Sequence, residues 1–414
     1  MASFAIPLSG LTASQDEMST ISNNLANMST DGYKDENLVF SDIFAQTGAV
    51  NGAGDPMQSG LGVTSSATVS DFSDGTLNST GIASNMALSG DGFFVLQQAN
   101  GVPAYTRAGD FTANNSGNLV TPSGDLVMGY PAANGVVNMS SPLQPMQVGS
   151  GVTTPASATS SIQVTANLDS NTAIGGAVPT STLEVYDSLG NQQQLTISYT
   201  ITGVNTWGYT VSVPSAALTA GATGNTTVGS GTLNFDSNGN LASITNAQPI
   251  ILPTLADGAT APQTIAGPFG TAANPTITQV ASASTTSATN QNGYASGTLS
   301  SYAVQTDGTV EGTFTNGQTL ALGQVAVASF ANNQGLLATG NNNYQATFAS
   351  GSAVAGLAGT GGRGTIVGGS VEESNVDIAA EFSKLIEAQQ SYAASAKSIT
   401  TFQQMSQETL QMLQ

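Results

Sequence analysis

The chain has 414 residues, which is long enough for two or three domains. It carries 25 acidic and 5 basic residues, a formal net charge of -20, yet charged residues make up only 7% of the chain. The chain is therefore short of bases rather than rich in acids, and most of its surface must be neutral and polar. Because it contains no His and no Cys, it cannot form imidazole or thiolate metal sites, disulfides, Cys nucleophiles or Ser-His-Asp triads.

Charge and hydropathy also exclude partners. No run of 18 apolar residues occurs, so we expect no membrane insertion. No base precedes Lys34 and the N-terminus lacks a long apolar core, so we expect no cleaved secretory signal. We expect no nucleic-acid partner, because the bases are too few and too scattered for a phosphate-binding stripe: Lys34, Arg107, Arg363, Lys384 and Lys397.

The N-terminal segment has the pattern of an amphipathic helix spanning about residues 3–29. Pro7 fits only in a first turn, Gly10 weakens the start, and Asp31-Gly32 is a turn dipeptide at which the helix should have stopped. The apolar stripe recurs at spacings of three, four and seven: Phe4, Leu8, Leu11, Met18, Ile21, Leu25 and Met28.

The C-terminal segment predicts a longer helix over about 375–413, where no Pro or Gly occurs. Acids at its start suit the helix dipole. Its seam alternates spacings of four and three, with one polar layer: Ile378, Phe382, Leu385, Gln389, Tyr392, Ala396 and Ile399. Beyond Ile399 the stripe shifts to another set: Phe402, Met405, Leu410, Met412 and Leu413.

These two stripes allow two arrangements. Neither can bury itself alone, so the ends could pack on each other and on neighbouring copies of the chain as a coiled-coil-like domain. Alternatively, both could be ordinary surface helices on one globular core. The pattern alone does not choose between them.

The middle of the chain predicts β structure. Short apolar runs bounded by Asn, Gly and Asp turns suggest sandwiches or barrels. The predicted strands contain Phe93–Leu96, Leu119-Val120, Leu195–Ile201, Leu233–Phe235 and Val325–Phe330. Regions 132–180 and 255–298 have few large apolar residues, so we interpret them as linkers or loose loops. The Gly-rich stretch 349–370 predicts a flexible connection.

Candidate chemical sites all have simpler structural interpretations. The run Asp236–Asn240 resembles the start of a calcium loop, but position 12 of that loop is Ala247 and not Glu, so it predicts a hairpin turn. We interpret Glu372-Glu373 and Asp35-Glu36 as solvated or helix-capping charges rather than a catalytic pair. The amides of Asn23–Asn27 should end the helix and could also bond between subunits. We thus expect no catalytic, metal or cofactor site.

Several runs resemble the axial proteins of the bacterial flagellum, the rod and hook family. The N-terminal run is Ile21–Lys34, with Asn23, Asn24, Asn27, Gly32 and Tyr33 as motif residues; many hook proteins have Phe at the last of these positions. The same group is indicated by Gly90–Leu96 and Tyr105–Phe111, and by the C-terminal runs that begin at Ser374, Glu381 and Ala388. The middle runs Val185–Asn191 and Gly231–Asn240 are similar to the outer domain of hook proteins rather than rod proteins.

The resemblance implies a structural, non-enzymatic subunit of the flagellar hook that polymerises into a curved tube and passes torque from rod to filament. It implies these domains: 1–30 with 372–414 as terminal helices, 31–71 as a connecting segment, 72–146 with 293–371 as an inner β domain, and 147–292 as an outer β domain. The implied partners are other copies of the chain, the rod, hook-cap and hook–filament junction proteins, and the flagellar type III export apparatus. A distal rod protein with an enlarged insertion and a secreted β-rich surface protein remain alternatives.

Overall fold

A computed structural model describes residues 4–44, 46–50, 56–149, 151–271 and 273–412. The predicted helix limits at 3 and 413 lie outside these residues, as does the stripe residue Leu413. Helix α1 spans Ala5–Ala26, α2 spans Ser215–Leu218 and α3 spans Ile378–Met412, with a 3-10 turn at Asn333–Gly335. The predicted class, mainly β with helical ends, is confirmed, and Pro7 lies in the first turn of α1 as expected.

The strands are numbered in chain order. The first group is β1 Glu36–Asp42, β2 Gln46–Val50, β3 Pro56–Ser59, β4 Val63–Ser70, β5 Leu77–Ser79, β6 Met86–Ser89, β7 Phe93–Gln97, β8 Pro103–Thr106, β9 Thr112–Ala113, β10 Leu119–Val120, β11 Leu126–Val137 and β12 Gln144–Pro145. The second group is β13 Thr153–Thr154, β14 Ile162–Asp169, β15 Ser181–Tyr186, β16 Gln192–Gly203, β17 Thr206–Pro214, β18 Asn225–Phe235, β19 Leu241–Thr245, β20 Ile250–Leu252, β21 Gln263–Ile265, β22 Gly270–Thr271, β23 Asn274–Pro275, β24 Ile277–Val280 and β25 Thr285–Gln291. The third group is β26 Gly297–Val304, β27 Thr309–Phe314, β28 Thr319–Val325, β29 Val327–Ser329, β30 Leu337–Gly340, β31 Asn343–Gln345, β32 Val354–Gly356, β33 Thr365–Gly368 and β34 Ser370–Glu372.

The chain divides into two compact units. Unit 1 comprises Met1–Ser150, Ser301–Thr313 and Thr319–Gln414, and unit 2 comprises Gly151–Ser300 and Phe314–Gln318. All five strand segments predicted from sequence fall on observed strands.

The two largest sheets of unit 2 share one core. Strands β15 to β19 form a five-stranded antiparallel sheet in sequence order, and β14 lies between β24 and β25 in a three-stranded sheet. Trp207, fully buried on β17, donates its indole N–H to Gln279 Oε1 on β24 at 3.2 Å. This bond ties the two sheets together across the core.

One five-residue turn recurs three times, at 114–118, 187–191 and 236–240. In each, Oδ1 of the first residue accepts the backbone N–H groups two and four positions later. The fourth residue is always Gly with φ between 80° and 88°, a conformation that L side chains disfavour. The third turn joins β18 to β19, so the predicted hairpin is confirmed. Its N–H bonds lower the pKa of Asp236.

The prediction of loops over 132–180 and 255–298 is wrong. Strand β14 lies inside the first region and buries Ile162, Val164 and Leu168 in the core of unit 2. Its side chains alternate between buried and more exposed positions, the period of a half-buried strand. Small polar neighbours lowered the average hydropathy of the region and concealed that alternation.

Unit 1 is built on a sheet whose strands run in the order β27-β28-β11-β7-β8-β31-β30. Aromatic rings fill its two faces by edge-to-face contact. Phe94 meets Phe111 with ring centroids 5.2 Å apart, and on the other face Tyr105 meets Phe330 at 4.8 Å.

The Gly-rich stretch 349–370 is not the flexible connection predicted from sequence. It contributes β32 and β33, and Ile366 is fully buried. Glycine allows neighbouring backbone segments to approach closely here. A Cβ at Gly364 would lie 2.3 Å from Ser89 O, and one at Gly368 would lie 2.5 Å from Val304 O.

We predict that Leu168→Ala lowers the free energy of unfolding of unit 2 by about 2–5 kcal/mol, because it opens a cavity in the core. Urea denaturation followed by Trp207 fluorescence measures this, since the chain's one tryptophan lies in the same core. The exposed Gln163→Ala on the same strand is the control and should change stability by less than about 0.5 kcal/mol. Equal effects of the two variants would contradict the burial of β14.

Candidate self-assembly interface

The two terminal helices pack directly on each other. A Cβ at Gly10 would lie 3.1 Å from Ser395 Oγ, so the small residue lets α1 and α3 approach closely there. Near the free ends of the pair, the rings of Phe4 and Phe402 meet edge to face at 6.1 Å. The first of the two arrangements open to the sequence, pairing of the ends, is therefore the one found within the chain.

The predicted stripes divide between covered and uncovered positions. Ile21 is buried. The half-buried members are Leu11, Met18, Leu25, Leu385, Ala396, Ile399 and Phe402. The exposed members are Phe4, Leu8, Met28, Ile378, Phe382, Gln389, Tyr392, Met405, Leu410 and Met412.

The apolar seam predicted for α3 therefore coincides only partly with the face that α1 covers. The fully covered positions are Glu381 and Ala388, whereas Phe382 is 53% exposed. Successive residues of a helix are about 100° apart, so the covered face is rotated by nearly one residue from the prediction. The reason is polar: the carboxylate of Glu381 accepts a hydrogen bond from Asn24 Nδ2 on α1 at 3.1 Å, and this bond turns the Glu381 side of α3 towards α1.

Residues 31–71, predicted only as a connecting segment, contain two strands that contact α1. Strands β1 and β4 pair antiparallel, and α1 contacts both. Ser9 Oγ accepts the Val63 N–H at 3.2 Å, and Asp16 Oδ2 accepts the Ser65 hydroxyl at 3.0 Å. The helix pair therefore rests on a two-stranded sheet of the same chain.

Asn24 is the polar centre of the interface and is fully buried. Its amide nitrogen donates to Asp35 Oδ1, to Glu36 O at 2.9 Å and to Glu381 Oε2 at 3.1 Å. Its amide oxygen accepts the Tyr33 hydroxyl and the Glu36 N–H, both at 3.1 Å. The Asn24 side chain thus joins α1 to the start of β1 and to the start of α3. Both the nitrogen and the oxygen of its amide are bonded within the chain, so neither is free to bond to another subunit.

A second polar group, the Lys34 cluster, lies beside Asn24 and comprises Lys34, Asp74, Arg107 and Glu372. Lys34 Nζ donates to Glu372 Oε1 at 2.6 Å, with both side chains fully buried. Arg107 Nη1 lies 3.3 Å from Asp74 Oδ1 and 3.5 Å from Glu372 Oε2. The guanidinium also lies 5.5 Å from the ring centre of Phe93. The prediction that Glu372 is a solvated or capping charge is therefore wrong.

The remaining motif residues shape the path between helix and cluster. Asn27 ends α1: its N–H reaches Asn23 O at 3.1 Å, and its side chain donates to the same oxygen at 3.0 Å. Gly32 has φ +69°, and a Cβ there would lie 2.5 Å from Ala108 N. Its N–H donates to Glu372 O at 2.7 Å. Only glycine fits this turn, which places Lys34 against its partner.

Burial and neighbouring charge shift the pKa values of the charged groups. Burial lowers the pKa of Lys34, although Glu372 opposes the shift. Burial and the charge of Glu381 raise the pKa of Asp35. Burial acts to lower the pKa of Lys384, but its bond to Glu381 and the charges of Glu381 and Asp35 outweigh burial and raise it. Lys384 is thus the base that holds this acid-rich site together.

Beyond these contacts, the helices leave apolar side chains uncovered. On α3, Ile378, Phe382 and Ile386 follow one another at intervals of four, so they share one face, and all are 46–55% exposed. On α1, Ile6 and Leu8 are 43% and 52% exposed. We call Ile378, Phe382 and Ile386 the α3 apolar row. No described helix is long and apolar enough to cross a membrane, and the described ranges hold no group of three or more acidic side chains able to bind a metal.

Four family models match successive parts of the chain. They are described as flagella basal body rod protein (residues 6–34), flagellar hook protein FlgE/F/G D1 domain (87–167), flagellar basal body protein FlaE D2 domain (166–294) and flagellar basal body rod FlgEFG protein C-terminal (367–412). The Asn24 and Lys34 side chains lie in the first of these and Glu381 in the last.

Full-length relatives decide the assignment. The flagellar hook protein FlgE of Salmonella typhimurium is 35% identical over 97% of this chain and 98% of its own length. The chain belongs to the flagellar hook protein family. FlgE of Treponema pallidum is 33% identical over 95% of this chain and 96% of its own length. A crystal structure of FlgE2 from Helicobacter pylori aligns with 70% of this chain and 98% of that chain, with a TM-score of 0.48 and 14% identity.

Membership of the hook family gives the chain a structural role in the flagellar hook and disfavours the rod and surface-protein alternatives. The motif runs noted in the sequence contain Lys34 and Arg107, but their pairing with Glu372 was not predicted. That pair joins positions 338 residues apart. The signal in the sequence was the scarcity of bases. It singles out each base as a candidate for an ion pair, but neither pattern nor spacing identifies the acid that pairs with it.

We predict that Asn24→Asp destabilises the packing of α1. The substitution removes the amide N–H donors that bond to Asp35 and Glu381, and it places a carboxylate beside these two acids. The free energy of opening of α1 should fall by about 3–5 kcal/mol, the cost of an uncompensated buried charge. Hydrogen exchange of peptides from α1 measures this. Asn23→Asp, the same change at the exposed neighbouring position, should cost about 1 kcal/mol or less. Similar exchange in both variants would refute the role of Asn24.

For the Lys34 cluster we predict strong coupling between Lys34 and Glu372. Lys34→Met alone leaves a buried anion, and Glu372→Gln alone leaves two buried cations, so each should destabilise unit 1 by about 3–5 kcal/mol. The double variant restores neutrality with Arg107 and Asp74, so its loss should be smaller than the sum by about 1–3 kcal/mol. Scanning calorimetry of the four proteins gives the coupling, and strictly additive losses would exclude it.

Proposed function

We propose that the chain polymerises through α1 and α3 into a flexible curved tube that transmits torque from the flagellar rod to the filament. In this proposal the terminal helices form the inner layer of the tube, and the β domains lie outside them. The residues assigned to assembly are those of the two predicted stripes. The chain acts as a structural subunit and not as an enzyme.

The observation that carries the proposal is the uncovered apolar surface of the helix pair. A single chain leaves Ile378, Phe382 and Ile386 exposed on a face that runs beside the covered one. Burying such a side chain against another copy is worth about 1.5–3 kcal/mol. Neighbouring copies supply that cover, because a helix pair with one free apolar face can repeat side by side.

Asn24 and the Lys34 cluster together form a polar junction, through which we propose that force passes between the β strands and the helices. Torque applied to the outer β strands must reach the helices through residues 31–36 and 372–377, where the chain enters and leaves them. Asn24, Lys34 and Glu372 fasten these segments to one another by buried, charge-assisted bonds. Such bonds resist sliding more than apolar contacts do, so unit 1 should move as one body with its helices.

The other partners follow from the position of a hook in the flagellum. We propose contacts with rod proteins at one end of the tube, with hook-cap and hook–filament junction proteins at the other, and export through the flagellar type III apparatus without a cleaved signal. We propose no nucleic-acid partner, because three of the five bases are engaged by acids of the same chain. We propose no membrane insertion, because the sequence has no run of 18 apolar residues.

Replacing Phe382 and Ile386 together by Ser should prevent hook assembly. Each lost burial raises the critical concentration for polymerisation by at least about tenfold. A strain lacking its own hook gene is complemented with this variant, and its flagella are examined by electron microscopy. The control is Gln390→Ser with Gln403→Ser, two exposed polar positions on the same helix, which should give normal hooks.

Two results would contradict the proposal. Normal curved hooks from the Phe382/Ile386 variant would exclude the α3 apolar row as an assembly surface. Failure of the unaltered chain to form curved hooks on the retained rods would exclude the function itself.

A further inference from the structure

Phe348 in unit 1 is the most exposed large apolar residue of the described chain. Its relative exposure is 106%, so the ring touches almost nothing of its own chain. It lies in a turn between β31 and β32. Aromatic side chains are enriched among the residues that carry most of the binding energy at protein–protein interfaces.

The turn holds the ring outward by a network of hydrogen bonds. Thr347 N–H donates to Ser350 Oγ at 2.9 Å, and Ser350 Oγ donates back to Thr347 O at 3.0 Å. Thr347 Oγ1 donates to Gly335 O, which fixes the turn to a neighbouring segment. The backbone that carries the ring is therefore fixed before any partner arrives, which reduces the entropy lost on binding.

A pocket large enough for a phenyl ring, lined by both apolar and amide side chains, lies elsewhere in unit 1. Its volume is about 320 Å³, and its apolar lining comes from Pro131, Ala132, Pro145, Met146 and Leu322. Its amide side chains come from Asn118, Gln144 and Gln147.

The charge distribution identifies another copy of the chain as the occupant. Every copy has a net charge of -20, so uncharged surface is where two copies meet with the least repulsion. No charged residue occurs between Glu311 and Arg363, the stretch that carries Phe348, or between Asp125 and Asp169, which supplies most of the pocket. A cationic partner would have no acid to bind on either surface.

We propose that Phe348 of one copy inserts into the Pro131–Met146–Leu322 pocket of a neighbouring copy. This inference rests on the proposed polymerisation of the chain. The contact joins two different surfaces of identical molecules, so it is heterologous and can repeat without closing, as a helical tube requires. A ring of this kind buries about 150–250 Å².

The test places the photoreactive residue p-benzoylphenylalanine at position 348, where it keeps an aromatic ring. Hooks assembled from this variant are irradiated, and the cross-linked peptides are identified by mass spectrometry. We expect chain dimers in which residue 348 is joined to the segment 128–147, at or near Met146. A cross-link to another segment of the chain, to a different protein, or no cross-link would overturn the proposal.

Further variants test the contact without relying on the photoreactive residue at position 348. Phe348→Ala hooks should dissociate at a lower temperature than unaltered hooks, whereas Val204→Ala, at an exposed apolar position in unit 2, should leave dissociation unchanged. Unchanged dissociation of the Phe348→Ala hooks would overturn the proposal. If the photoreactive residue at 348 blocks assembly, it is placed at Ala132 on the pocket, and any cross-link that excludes the segment containing Phe348 overturns the proposal. Absence of hooks from the unaltered chain would instead refute the proposed function.

Discussion

The structure depends on one buried polar junction where the two ends of the chain meet. Asn24 at the end of α1 bonds to Glu381 at the start of α3, and Lys34 bonds to Glu372 across 338 residues of sequence. Both groups are removed from water, where an unpaired charge or amide is costly. Every partner must therefore be in place, which fixes where each helix begins relative to the β strands of unit 1.

The junction also explains the unusual charge distribution. Three of the five bases, Lys34, Arg107 and Lys384, are paired with acids at this one place. The stretches that carry Phe348 and its proposed pocket have no charge at all. Net charge thus disfavours random association of copies, while uncharged surface and exposed apolar side chains permit specific contacts.

The orientation of α3 shows how a polar contact can decide an apolar one. Had the predicted seam faced α1, Phe382 would have been covered within the chain. Because Glu381 reaches Asn24 on α1, the helix is turned so that Phe382 and Ile386 remain exposed. The same rotation that satisfies the junction leaves an apolar row for neighbouring copies. Stability of the single chain and its capacity to assemble are therefore linked through one carboxylate.

Local pattern in the sequence determined the terminal helices, the strands around Phe94 and Ile197, and the Asp236 hairpin, because each depends on periodicity or on turn residues close together in the chain. The motif runs determined the family. Only the tertiary structure decided the partners of Lys34 and Glu372, the burial of β14, the strand character of the Gly-rich stretch near Ile366 and the face of α3 that stays exposed. Those features depend on contacts between distant segments, and hydrogen bonding and close backbone approach at such contacts leave no periodic trace in the sequence.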